Sequence, residues 1–149
     1  MAASEMQKAI TKLRFLLATV RDKEQEIEST RRQFQRQLDR VPNYAIHGGN
    51  SLDATLGMMS EIQERLDEVT NTQKHLAAIK RHAQNELQAL DLTYRVEQAK
   101  AELAALKMRR CSGEDRGRAQ EGKIEELERF VQEASIRAGR IITGEIEDR

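Results

Sequence analysis

From Met6 to Val41 the chain steps by four, three and four residues without a miss through Met6, Ile10, Leu13, Leu17, Val20, Glu24, Ile27, Arg31, Phe34, Leu38 and Val41, and nine of these eleven are apolar. Alternating steps of three and four average 3.5 residues, the seam of a left-handed coiled coil. The seam predicts a first helix over about 4–41, with Ser4 accepting an N-terminal N–H and Pro42 ending the hydrogen-bond ladder. Residues 42–50, Pro-Asn-Tyr-Ala-Ile-His-Gly-Gly-Asn, then read as a loop, with Asn50 or Ser51 capping a second helix.

That second helix is expected over 51–110, roughly 90 Å long at 1.5 Å per residue. Its seam runs Leu52, Thr55, Met59, Ile62, Leu66, Val69, Gln73, Leu76, Lys80, Ala83, Leu87, Leu90 and Tyr94, and is replaced by Leu92, Val96, Ala99, Leu103 and Leu106. At ~100° per residue the two stripes lie on nearly opposite faces, which implies a different neighbour for each end, or else a break near 91–93. Ser112 to Asp115 resembles a capping box, and a third helix over about 115–143 carries Ile124, Leu127, Val131, Ala134, Ala138 and Ile141, with Phe130 and Ile142 beside it. Gly144 and the charged end beyond it suggest fraying.

These elements predict an all-α, elongated antiparallel coiled coil of three helices, with the long central helix covered by helix 1 on one face and helix 3 on the opposite one. Residues 1–149 form one domain in this reading, residues 1–110 as a long hairpin and 111–149 as the third helix and frayed end. The loop length places Phe34 near Met59 and Ile10 near Ala83, and the second turn places Val131 near Val96 and Ile124 near Leu103.

Composition supports elongated helices over a compact globule: the 149 residues are 34 % charged and 3 % aromatic, with no Trp and one Pro. Acidic and basic residues balance at 25 each, giving no electrostatic reason to expect nucleic acid or membrane as the main partner. The cluster Arg31, Arg32, Arg36 and Arg40 precedes an acidic stretch, Asp53, Glu61, Glu64, Asp67 and Glu68, so charge self-complementation within the hairpin is expected. Cys111 is alone and forms no internal disulfide, which suits a reducing compartment and an inert thiol at a helix end. With no leader pattern and no apolar run approaching ~20 residues, a cytoplasmic location is expected.

Candidate chemistry is sparse. Glu24, Arg31, Gln73 and Lys80 occupy seam positions that Leu or Ile would fill more stably, and such residues set register or partner number by leaving a slipped pairing unpaired. His75 and His82 are two turns apart, about 10.5 Å along a helix, too far to share one metal. The Gly48-Gly49-Asn50-Ser51 turn lacks the Lys and the preceding strand of a phosphate loop. No nucleophile, base and orienter occur together, so no enzyme, cofactor or metal site is expected.

Apolar residues outside the seam point outward to partners: Leu16, Leu56, Met58 and Ile79 flank it, and Tyr44 and Ile46 stand in the loop. Leu92, Val96 and Leu103 would become a groove if helix 3 undocked. The expectation is a scaffold, adaptor or assembly factor working through helix–helix contacts, with itself as first partner in a homodimeric four-helix bundle and another protein as second. The alternatives are a helical chaperone or export-associated rod, and then a nucleic-acid accessory protein.

Overall fold

The computed structural model describes residues 3–111 and 118–144. They form three helices, α1 (Ala3–Ile46), α2 (Leu52–Cys111) and α3 (Arg118–Thr143). The capping pattern at 112–115, the charged end beyond Gly144 and the Cys111 side chain lie outside the described residues. α2 runs unbroken through 91–93.

The first helix is longer than the sequence suggests. α1 passes through Pro42 to Ile46, so the expected 42–50 loop shrinks to 47–51. One proline removes one N–H and one bond, and burial on both sides of it compensates: Val41 is 1 % exposed and Ala45, one turn on, is half-buried. The helix end is then closed by the loop. His47 N–H donates to the Asn43 carbonyl at 2.8 Å, and the N–H groups of Gly48 and Asn50 donate to the Tyr44 carbonyl at 3.1 and 3.4 Å. Gly49 holds φ at 72°, and a Cβ on Gly48 would sit 2.8 Å from the Tyr44 oxygen, so the glycine pair is a steric requirement of this cap. Ser51 starts α2: its Oγ accepts the Ala54 N–H at 3.1 Å.

The chain divides into two compact units, each taking part of α1 and of α2. One unit, Leu17–Arg81, is an antiparallel hairpin. Val20, Val41, Thr55 and Leu66 are buried in it, and Leu17, Ile27, Phe34, Leu38, Met59, Ile62, Val69 and Leu76 are half-buried at the seam positions between them. Leu52 departs from the expected seam. It is 67 % exposed, because it opens α2 beside the loop, past the last turn of α1. The facing pairs also shift. The Arg65 guanidinium lies 5.9 Å from the Phe34 ring, so Phe34 faces the turn at 65 and not Met59. Extending α1 moves the reversal of the chain toward α2 and advances the α1–α2 pairing by about two turns.

The other unit, Met1–Leu16 with His82–Arg149, packs three helices together. Met6 and Ile10 of α1 are buried, as are Ala83, Ala89, Val96, Ala99, Leu103 and Leu106 of α2 and Ile124, Ala134, Ala138 and Ile141 of α3. Gln7 Nε2 donates to Tyr94 Oη at 2.8 Å, which places Ile10, one turn on, opposite the turn near Leu90 rather than Ala83. The switch of stripe is a region of double cover: between Asn85 and Tyr94 every residue except Glu86 is at least half-buried. Ala89, 2 % exposed, begins the second stripe one step before Leu92. α3 lies antiparallel to α2, with Leu103, Leu106 and Ile124 in one cluster against which Leu127 and Val131 pack. Lys107–Glu128 at 3.1 Å and Lys123–Glu102 at 3.0 Å flank this contact.

Candidate functional site

Five polar residues stand in the hairpin seam. Thr55 donates its hydroxyl to the Ser51 carbonyl at the start of its own helix at 3.0 Å, and Glu24, Arg31, Gln73 and Lys80 are joined across the two helices, directly or through Glu28. Lys80 Nζ lies 3.3 Å from Glu24 Oε1. One turn further along α1, Glu28 is the centre of a larger set. Arg31 reaches it with both arms of the guanidinium, Nε to Oε2 at 2.9 Å and Nη2 to Oε1 at 2.6 Å. Gln73 Nε2 donates to the same Oε2 at 2.9 Å from α2, and Arg32 Nε stands 3.3 Å from Oε1. Thus Arg31 and Gln73 are linked through Glu28, a residue that seam counting passes over because it lies one position beyond Ile27. The signal that would have found it is local: Glu28 precedes Arg31 by three and Arg32 by four residues, the ion-pair spacings of a helix.

The charge-assisted bonds decide the ionisation of Glu28. The hydrogen bond from Arg31 and then that from Gln73 lower its pKa to about 2, against a smaller upward push from desolvation. Its partner Arg31 is raised in turn by the same bond. The folded pKa lies below the unfolded one, so the stability this group contributes is fully present above about pH 4.5 and is lost as pH falls toward about 2. The Glu28→Gln variant is therefore expected to lose part of the acid dependence of stability in that window, read from denaturant midpoints between pH 5 and 2. A wild-type midpoint that does not fall over this range would contradict the assignment.

An open groove of about 600 Å³ runs beside this network, with Arg21, Glu24, Glu28, Arg32, Arg36 and Gln73 among its lining. Of its two carboxylates, Glu28 is held ionised by Arg31 and Gln73, and Glu24 stands 3.3 Å from Lys80 Nζ. His47, His75 and His82 are exposed, and among the described residues no group of three or more His, Cys, Asp or Glu is placed to hold a metal.

The apolar candidates fall into two groups. Leu16, Tyr44, Ile46, Leu56, Met58 and Ile79 are exposed, Ile46 the most at 69 %. Leu92 is half-buried and Val96 and Leu103 are buried, in the α2 stripe of the three-helix unit to which α3 belongs.

The expected self-complementation of the hairpin does not occur. Among the described residues no ion pair joins Arg36 or Arg40 to a carboxylate, or Glu61, Glu64 or Glu68 to a base; Arg31 and Arg32 pair with Glu28 of their own helix. The reason is rotational. Arg36 is two residues from both Phe34 and Leu38, and Glu64 two from both Ile62 and Leu66, so each points roughly 160° away from the seam. The two charged faces stand on opposite sides of the hairpin, separated by the helices themselves.

Comparison with known protein families, with curated proteins and with solved structures finds no match to this chain.

Proposed function

We propose that this chain is a non-catalytic helical scaffold or adaptor that works through helix–helix contacts in a homo-oligomer. The observation that carries this reading is the exposure of Leu56, Met58 and Ile79 along a hairpin whose seam is already filled. Two-helix coils place polar residues at such flanks, whereas wider apolar stripes belong to bundles of three or more helices. Two hairpins joined as a four-helix bundle through one flank would cover Met58 and Ile79, with Leu56 on the opposite flank of α2. The paired state of Glu24 and Glu28 supports a register role over acid–base chemistry. A location in the cytoplasm goes with this reading; no described helix is long and apolar enough to cross a membrane.

The test is the mass in solution. Sedimentation equilibrium at micromolar concentration and high salt is expected to give a dimer for the wild type and a monomer for the triple variant Leu56→Gln, Met58→Gln, Ile79→Gln, both with full helical circular dichroism. A wild-type monomer would overturn the proposal.

A second reading, a helical rod that grips client proteins, draws on the hairpin end, where Tyr44, Ile46 and Leu52 are exposed within a few residues of the loop. Crosslinking of clients to Tyr44, with no dimer formed, would favour it.

A further inference from the structure

The hairpin of residues 17–81 carries opposite charge on its two outer faces. Arg32, Arg36 and Arg40 are exposed on successive turns of α1; Arg32 also reaches Glu28 at 3.3 Å and Asp39 is exposed beside Arg40, so the face keeps a net positive charge. Glu61, Glu64 and Glu68 are exposed on α2 at steps of three and four, with Asp67 beside them. Both rows therefore advance at about 5–6 Å per charge along their helices. Because Phe34 stands opposite Arg65, the antiparallel register sets Arg36 level with Glu64, Arg40 with the turn of Glu61 and Arg32 with the turn of Glu68. The rows match in height and pitch, yet the body of the hairpin keeps them apart.

We propose that the partner of each face is a second copy of this chain, the acidic outer face of α2 in one copy lying along the basic outer face of α1 in the next. The proposal rests on the self-association through Met58 and Ile79 and adds a second, separate contact to it. A basic face meets an acidic one, so the contact is heterologous: each copy that uses one face leaves the other free, and association continues beyond a pair unless a ring closes. Exposed charges are screened within a Debye length of ~10 Å at 0.1 M salt, so this contact is salt-sensitive where the apolar flanks are not.

Charge reversal tests it with full-length protein. One variant replaces Arg32, Arg36 and Arg40 by Glu and makes both faces acidic; the other replaces Glu61, Glu64 and Glu68 by Lys and makes both basic. In sedimentation velocity at about 50 mM salt the wild type is expected to show mass rising with concentration, an increase lost at about 500 mM salt. Each variant alone is expected to lose the salt-sensitive increase, and an equal mixture of the two to regain it, since each then supplies the face the other lacks. The variant with both rows exchanged controls for folding and is expected to associate like the wild type. A wild-type mass independent of salt, single variants that still associate, or a mixture that does not, would overturn the proposal. So would a wild type that keeps one mass at low salt but binds a DNA duplex through the same arginines. A dimer that persists at high salt while the salt-sensitive increase is absent would sink this contact and leave the apolar one standing.

Discussion

Truncating Leu103 to Ala is expected to release α3 while leaving the hairpin of residues 17–81 intact. Leu103 is 8 % exposed and shares a cluster with Leu106 and Ile124, against which Leu127 and Val131 pack. Large-to-small changes of this kind cost about 2–5 kcal/mol, through lost transfer energy and the cavity left behind. α3 has little in reserve to absorb that loss. Two of its buried seam residues are Ala134 and Ala138, which bury small side chains, and Gly122 and Gly139 each lower its helix propensity by ~1 kcal/mol relative to Ala. A loss of about 2 kcal/mol corresponds to roughly 30-fold faster amide exchange where opening is local. Exchange over 121–141 is thus expected to accelerate by about that factor or more, with 20–75 unchanged. Equal acceleration throughout would mean that α3 does not open separately from the hairpin, and would remove the basis for treating the Leu92–Leu106 stripe as a site of partner exchange.

How far such a result can be anticipated from residues alone depends on what kind of information each feature carries. The α1 seam is legible because a period of 3.5 maps directly onto one helical face: every position from Met6 to Val41 in that series is buried or half-buried. The replacement of one α2 stripe by another is legible for the same reason, and its outcome is the doubly covered stretch from Asn85 to Tyr94. Ala89 escapes because a small residue carries little hydrophobic signal, although where two helices approach closely a small residue is what fits.

The misses share a cause. Pro42 carries an intrinsic penalty against helix, and tertiary burial of Val41 and Ala45 overrides it. That one difference propagates into the length of the loop, the facing partners of Phe34 and Ile10, and the place of Leu52. The register residues show the same limit in another form. Sequence marks Glu24, Arg31, Gln73 and Lys80 as out of place in a seam, but the pairing runs through Glu28, and only the facing register shows that Gln73 reaches it. The charged faces mislead because proximity in sequence across a loop is not proximity in space. Rotation about each helix axis, set by the seam, sends Arg36 and Glu64 outward on opposite sides.

Replacing Pro42 by Ala is expected to stabilise the protein, and it tests the element on which the hairpin register depends. Proline inside a helix costs about 3 kcal/mol relative to alanine, from the missing N–H and the clash of the ring with the carbonyl four residues back, here that of Leu38. Alanine restores the bond, but it also frees the unfolded chain by ~0.4–1 kcal/mol. The net gain is then about 2 kcal/mol, or roughly 4–8 °C in Tm for a chain of this size. Pro42→Gly is expected to recover less, by ~0.5–1 kcal/mol, because glycine supplies the N–H but not the restriction. If α1 ended at Val41, as the proline suggests when read alone, neither substitution would add a helical bond and alanine would lower Tm slightly. The sign of the change in Tm therefore decides between a helix that stops at 41 and one that continues to Ile46. It also decides whether Tyr44 and Ile46 stand on a rigid helical turn, where an exposed apolar pair presents a fixed surface, or on a loop that loses conformational entropy when it binds.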